Sequence, residues 1–297
     1  MRLARVRVIL LPLCLAACGG GSSGGSQEDQ FGTMTLRITD SPITEATAVV
    51  VEFTGVEIKA AEESAPEVFD FSTPRQINLL ALSGGGSEIL LEEKTLPAGH
   101  YEWIRLKVNA GLDASDSYIE LNDGSQHALF IPSGNETGLK LVSGFTVGAG
   151  GAVDYTIDFE LRKSVIRPPG LGGPFLLKPA LRLVDNLEVG TIAGMVAASI
   201  AAETCSPAVY VYSDPDRTPD DLGSAMAPLV TGEVALHDAS GEFRYSIGFV
   251  PAGVYTVALT CAAADDDPDA DDELAFVGSQ NATVTAGQTT TVDFAGE

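Results

Sequence analysis

The C-terminal third of the chain carries a dense acidic run, residues 265–273. Four of its aspartates stand at alternate positions: Asp265, Asp267, Asp269 and Asp271. Carboxylates at such positions can converge on Ca²⁺, although Ala270 replaces the glycine that an EF-hand loop would have. Charges this dense also repel one another and usually stay solvated. The run predicts either a weak Ca²⁺ site or a solvated loop, and residues 214–221 form a second acidic segment that would add ligands if it lies nearby.

Histidine-dependent chemistry has little support in the sequence. The three histidines, His100, His127 and His237, are not at metal-ligand spacing. A nucleophilic serine needs a histidine base, and the Gly-x-Ser-x-Gly motif that would present such a serine is absent from the sequence. Among 41 acidic residues, no pair can be selected for glycoside hydrolysis without geometry. We therefore expect a non-enzymatic protein with no cofactor except Ca²⁺; a carboxylate-based hydrolase is the weakest alternative.

The N-terminus predicts export and lipid anchoring. Residues 1–17 combine a basic start, a short apolar core and small residues, as in a secretory signal peptide. The sequence LAAC at residues 15–18 resembles the lipobox of bacterial lipoproteins. That resemblance implies a diacylglycerol on the Cys18 thiol, and Gly19 in place of aspartate favours the outer membrane. Residues 18–31 would then be the lipidated cysteine and a flexible Gly/Ser linker.

The remaining cysteines predict a disulfide. Cys14 leaves with the signal peptide, so the exported chain retains Cys205 and Cys261 besides the lipidated residue. An oxidising compartment favours a bond between them. A two-cysteine metal site is the rival interpretation, and it lacks a nearby histidine or second cysteine pair.

Charge excludes one class of partner. The formal net charge is −24, and beyond residue 189 only Arg217 and Arg244 are basic. A field of this sign repels nucleic acid, so we expect no DNA or RNA binding.

The hydrophobic pattern predicts an all-β chain. Residues 153–162 alternate apolar and polar side chains, as do residues 104–109, and turn clusters such as residues 83–86 and 122–124 separate the short segments. We expect two antiparallel β-sandwich domains in tandem, residues 32–188 and 189–297, after the signal peptide and the linker.

The first of these domains contains five motifs in order: GTMTLRITDSP at 32–42, TGVEIK at 54–59, INLLAL at 77–82, LPAGHYEWIRLKV at 96–108 and LLKPALRLV at 176–184. With these motifs the domain resembles a family of bacterial lipoprotein domains known as domain of unknown function 4382. The family implies an exported, often lipid-anchored protein. It implies no reaction or ligand.

The second domain resembles carboxypeptidase-regulatory-like, or prealbumin-like, sandwich domains over GEFRYSIGFVPAGVYTVAL at residues 241–259. Such domains are usually accessory modules, and some bind carbohydrate. Pro-Ala-Gly-x-Tyr occurs in both domains and ends at Tyr101 and Tyr255. We expect each tyrosine to bond its hydroxyl to nearby backbone, as in a tyrosine corner. Trp103 either packs under a loop or stacks on a sugar.

Together these observations predict an envelope lipoprotein that binds a glycan or an envelope protein. The alternative is a structural surface component with weak Ca²⁺ binding.

Overall fold

The computed structural model describes residues 30–41, 43, 45–131, 138–167, 174–201, 205–237 and 240–296. The predicted signal peptide, Cys18 and nearly all of the linker lie outside these residues. Within them, no helix has both the length and the apolar character needed to cross a membrane.

The first sandwich runs from β1 to β13. Its strands are β1 Phe31–Ser41, β2 Ala46–Ala60, β3 Glu67–Asn78, β4 Glu88–Pro97, β5 Gly99–Asn109, β6 Tyr118–Leu121, β7 Gln126–Phe130, β8 Leu139–Leu141, β9 Phe145–Val147, β10 Ala152–Glu160, β11 Val165–Ile166, β12 Phe175–Leu177 and β13 Leu181–Asp185. A 3-10 helix, Leu79–Gly85, follows β3, and one short helix, α1 Leu161–Ser164, follows β10.

Two sheets enclose the core of this sandwich. The smaller has the order β13-β10-β1-β4, and the larger runs β11-β12-β7-β6-β2-β5-β8, with β3 on β2 and β9 on β5. Leu36 and Ile157 from the smaller sheet and Phe53 and Ile104 from the larger are fully buried in one cluster. Burial of side chains of this size is the main stabilising contribution to such a fold.

The second sandwich runs from β14 to β21. Its strands are β14 Val189–Val196, β15 Ala208–Ser213, β16 Val230–Glu233, β17 Ala235–His237, β18 Glu242–Pro251, β19 Gly253–Thr260, β20 Phe276–Val284 and β21 Thr289–Thr291. The sheets have the orders β17-β18-β14-β21 and β16-β15-β19-β20. Ile192 and Ile247 of one sheet pack with Val211 and Val257 of the other.

The all-β class is confirmed, with one difference in strand direction. Most pairs are antiparallel, but β1 pairs with β10, β7 with β12, and β14 with β21 in parallel. Alternation along a strand does not depend on the direction of its neighbour, and therefore the sequence pattern did not reveal these pairs.

Both predicted tyrosine corners are confirmed. The Tyr101 hydroxyl donates to the Pro97 carbonyl oxygen at 2.7 Å, and the Tyr255 hydroxyl donates to the Pro251 carbonyl oxygen, also at 2.7 Å. Each bond joins the tyrosine, which lies in the strand after the turn, to the proline four residues earlier in the sequence.

Removing either corner hydroxyl is expected to destabilise its sandwich. Tyr101→Phe and Tyr255→Phe should each lower the free energy of unfolding by about 1 kcal/mol, since a lost hydrogen bond leaves a carbonyl unpaired. Urea denaturation measures the change. Tyr118→Phe is the matched control, because among the described residues the Tyr118 hydroxyl has no hydrogen-bond partner. Equal midpoints for Tyr101→Phe and Tyr118→Phe would contradict the assignment.

The second sandwich covers one end of the outward face of the smaller sheet of the first. Thr39 and Asp158, which point away from the first core, are buried there near Thr231 and Phe249. The cavity that these residues line is about 10 Å³, which is room for one water at most. Asp158 of β10 therefore lies at a junction between sandwiches rather than in solvent.

Candidate cation-binding site

The acidic segments lie on the outer face of the β16-β15-β19-β20 sheet. On that face a small apolar cluster forms from Tyr210, Tyr212 and Ala258 of the strands and Leu222 and Ala263 of the loops. The first loop joins β15 to β16 and contains residues 214–229. The second joins β19 to β20 and contains residues 261–275. Burial of their apolar side chains against the strands holds both loops to the sheet.

Two buried tyrosines hold the acidic loops to the sheet through hydrogen bonds. The Tyr212 hydroxyl donates to the Asp220 carbonyl oxygen and accepts from the Asp220 amide at 3.0 Å. The Tyr210 hydroxyl donates to Asp266 Oδ2. Burial raises the pKa of both phenols above the ordinary value of 10.0, so both remain protonated donors at neutral pH.

The two loops also bond directly to each other. Asp221 Oδ2 accepts from the Asp272 amide at 2.6 Å, and Asp266 Oδ1 accepts from the Leu222 amide at 3.1 Å. Gly223 lies so close to Ala270 that a Cβ there would sit 1.6 Å from the Ala270 carbonyl oxygen. Only glycine permits this approach, and contacts within the protein hold the two acidic segments together.

The contact assembles two groups of carboxylates that share one member. Asp220, Asp221 and Asp271 make the outer group; Asp221, Asp266 and Asp272 make the inner group. In each group the three oxygen atoms lie within 4.8 Å of one another. Oxygens bound to one Ca²⁺ at about 2.3–2.6 Å are separated by no more than about 5 Å. Either group therefore has the dimensions of a calcium site.

Asp221 distinguishes these groups from an ordinary acidic surface. Asp221 is fully buried, and its Oδ1 has no hydrogen-bond partner in the described structure. An unpaired carboxylate oxygen away from water costs several kcal/mol unless a donor or a cation reaches it. A bound cation would supply the missing partner.

Protein donors compensate the inner group more fully than the outer one, in which Asp220 Oδ1 accepts from the Asp221 amide at 3.0 Å. The Asp266 side chain is fully buried and lies 3.8 Å from Arg162 Nη1, in addition to its bonds from Tyr210 and Leu222. Asp272 Oδ2 accepts from the Asp267 amide at 2.9 Å. In the outer group Asp271 is exposed and has no hydrogen bond or ion pair to any described residue through its carboxylate. The outer group is the one in need of a counter-ion.

The structure distributes the aspartates of the sequence prediction unevenly. Asp271 belongs to the outer group, whereas Asp265, Asp267 and Asp269 belong to neither. Asp267 Oδ1 instead accepts from the Asp269 amide at 2.9 Å and shapes the loop.

Sequence reasoning did not single out Asp220, Asp221, Asp266 and Asp272. Asp220 and Asp221 lie in the segment 214–221, which the sequence suggested as a source of further ligands. At its start, Asp214 pairs with Arg217 at 2.6 Å, away from both groups. The spacing of residues in the sequence does not show which of two adjacent aspartates will be buried in the folded loop.

The predicted disulfide is present. Cys205 and Cys261 are bonded, with their Cα atoms 4.6 Å apart. Cys261 is the first residue of the second acidic loop, so the bond fixes one end of that loop.

Two of the histidines that were considered for chemistry, His127 and His237, lie outside the acidic loops. Ser125 Oγ is 3.1 Å from His127 Nε2 and also donates to Asp123 at 2.6 Å, all within the β6–β7 hairpin. Ser240 Oγ and His237 Nδ1, both on exposed residues, are 3.3 Å apart. In neither pair does an acidic side chain among the described residues orient the histidine, as the base of a nucleophilic triad requires.

Trp103 packs under cations. Arg105 and Lys140 lie 4.8 Å and 4.5 Å from the centre of its ring. These contacts occupy the ring that the sequence offered as a stacking surface for a sugar.

Residues 31–179 match the family described as domain of unknown function (DUF4382). The chain belongs to this family. A search of curated proteins gives no match.

Several solved structures are similar at low identity. A leucine-rich repeat protein from Bacteroides thetaiotaomicron is 13% identical with a TM-score of 0.21, over 90% of this chain and 26% of its own. A minor pilin from Streptococcus agalactiae is 13% identical with a TM-score of 0.21, over 88% of this chain and 94% of its own. The fimbrial anchor protein of Porphyromonas gingivalis is 10% identical with a TM-score of 0.21, over 84% and 82%. This DUF4382 chain thus spans about a quarter of the leucine-rich repeat protein. Likenesses of this size carry no functional conclusion.

Proposed function

We propose that this DUF4382 protein is a non-catalytic, lipid-anchored envelope protein whose second sandwich binds Ca²⁺ between its two acidic loops. The observation that carries the calcium element is Asp221 Oδ1, a buried carboxylate oxygen without a partner. Asp220 and Asp271 offer further oxygens within 4.8 Å of Asp221. Waters and backbone carbonyls would complete the six to eight ligands that Ca²⁺ takes.

The outer group suits a site of modest affinity. Its oxygens come from a mixture of buried and exposed residues: Asp221 is buried, Asp220 half-buried and Asp271 exposed. Extracellular calcium modules of this kind bind with dissociation constants of about 0.1–1 mM. Mg²⁺ requires shorter bonds and near-octahedral geometry, so it should bind more weakly.

Calcium is expected to stabilise the protein. At 10 mM Ca²⁺ and a dissociation constant of about 1 mM, linkage gives about 1.4 kcal/mol, or a rise in Tm of about 3–6 °C. Differential scanning calorimetry of the full exported chain measures this rise. Asp221→Asn should abolish the response. It should not lower the Tm in chelator, because the amide relieves charge crowding.

Asp265→Asn is the matched control for that experiment. It removes one negative charge from the same loop without touching either carboxylate group. The Ca²⁺ response should survive in this variant. A wild-type Tm that does not move with 10 mM Ca²⁺ would refute the calcium element, and a response equal in wild type and Asp221→Asn would refute the site.

The anchor is proposed from the LAAC sequence ending at Cys18. Acyl chains on Cys18 would hold the protein to the outer membrane, and the linker before β1 would keep the sandwiches near it. The second sandwich would serve as an accessory module of the carboxypeptidase-regulatory-like kind, for a glycan or protein partner in the envelope. Cys18→Ser should release the protein into the soluble fraction and remove the acyl mass. A variant that stays in the membrane with unchanged mass would contradict the anchor.

A further inference from the structure

Arg162 reaches from the first sandwich into the second. It belongs to α1, immediately after β10, and its side chain is 9% exposed. Its Nη1 donates to the Tyr210 hydroxyl at 2.7 Å, and its Nη2 donates to the Ala263 carbonyl oxygen at 2.9 Å. These two bonds place the guanidinium against the base of the second acidic loop.

The same guanidinium faces the inner carboxylate group. Arg162 Nη1 lies 3.8 Å from Asp266 Oδ2. Both groups are almost fully withdrawn from water, so their attraction is stronger than that of a surface ion pair. Burial raises the pKa of Glu233, an acidic residue of the second sandwich, and the positive charge of Arg162 partly offsets that rise.

We propose that Arg162 takes the place of a second cation in the inner group. The inference rests on the proposed calcium site, because it assigns that ion to the outer group alone. Asp221 belongs to both groups, so two ions would share it as a bridging carboxylate, about 3.5–4 Å apart as in two-metal sites. While the sandwiches are docked, the positive charge of Arg162 repels an ion from the inner position. The first sandwich thereby sets how many ions the second one binds.

Stoichiometry separates this arrangement from its alternatives. Wild-type protein should bind one Ca²⁺ in equilibrium dialysis with radiolabelled calcium. Arg162→Gln leaves the three carboxylates of the inner group without a cation and should bind two. Arg162→Lys keeps the charge and should bind one. Arg162→Gln combined with Asp266→Asn removes the inner group and should also return to one.

A variant of the acidic loop tests the same proposal without altering Arg162. Because Arg162 already neutralises Asp266, Asp266→Asn in the wild-type background should change the calcium affinity less than threefold. Asp271→Asn should weaken it at least tenfold, since it removes a ligand of the outer group. Circular dichroism checks that each variant is folded.

The outcomes distinguish the two proposals. No calcium bound by the wild type would refute the proposed function. One ion bound by both the wild type and a folded Arg162→Gln would overturn the role of Arg162 and leave the outer site standing. Loss of binding in Asp266→Asn would also overturn it, because the inner group would then hold the ion.

Discussion

Replacing both Cys205 and Cys261 with serine is expected to lower the free energy of unfolding by about 4 kcal/mol. The bond joins residues 56 positions apart, and a loop of that length loses this much chain entropy in the unfolded state when it is closed. Urea denaturation of the second sandwich's transition measures the loss. Wild-type protein in reductant serves as the control, since it should show the same midpoint as the double variant. A loss below about 1 kcal/mol would show that the bond adds little to packing that already holds its ends together.

Glu160→Gln is expected to remove a pH-dependent destabilisation of the folded chain. Burial, with the nearby charge of Asp158, raises the pKa of Glu160 to about 7, and its Oε1 has no partner in the described structure. The folded state therefore binds a proton more tightly than the unfolded state, whose pKa is near 4.5. This contribution to stability is complete below pH 4.5 and is lost as the pH rises through 7, a difference of about 3 kcal/mol.

Urea denaturation at pH 4.5 and pH 8 tests this prediction by comparing the variant with the wild type. The two should have similar stability at pH 4.5, and the variant should be more stable at pH 8 by up to about 3 kcal/mol. Burial also raises the pKa of Asp158, which adds its own pH dependence to the stability of both proteins. Subtracting the wild-type profile from that of the variant removes this shared contribution. Parallel pH profiles would contradict the assignment to Glu160.

The sequence predicted those parts of the fold that depend on local pattern. The alternation in residues 153–162 corresponds to β10 as far as Glu160, where the strand ends and the short helix α1 begins. Residues 241–259 correspond to β18 and β19 with the tyrosine corner between them. The corner was predictable because its proline, glycine and tyrosine act within five residues of one another.

The hydrophobic pattern did not predict the strand β20, which forms because it pairs with a neighbouring strand and not because of its composition. Residues 276–284, FVGSQNATV, have little apolar alternation, yet they pair along the length of β19 as β20. Its central residues 279–281 are exposed, so they needed no apolar side chains. Backbone hydrogen bonds to a strong neighbour sufficed.

The candidate site was only half predictable for a related reason. The density of aspartates predicted either a weak Ca²⁺ site or a solvated loop, but which carboxylates come together depends on which side chains are turned inward. Tyr210, a strand residue, selects Asp266, and Gly223 permits the approach of Ala270 that brings Asp221 to Asp272. These partners are 44 to 56 residues apart or belong to different loops, so no local spacing encodes them.

The most direct test of the calcium site is a crystal structure of the exported chain grown in 10 mM CaCl₂, with anomalous diffraction data. The site predicts one anomalous peak between Asp220, Asp221 and Asp271, within about 2.3–2.6 Å of Asp221 Oδ1. A map without a peak there, or with an ion bound only by the exposed residues Asp265, Asp267 and Asp269, would contradict it.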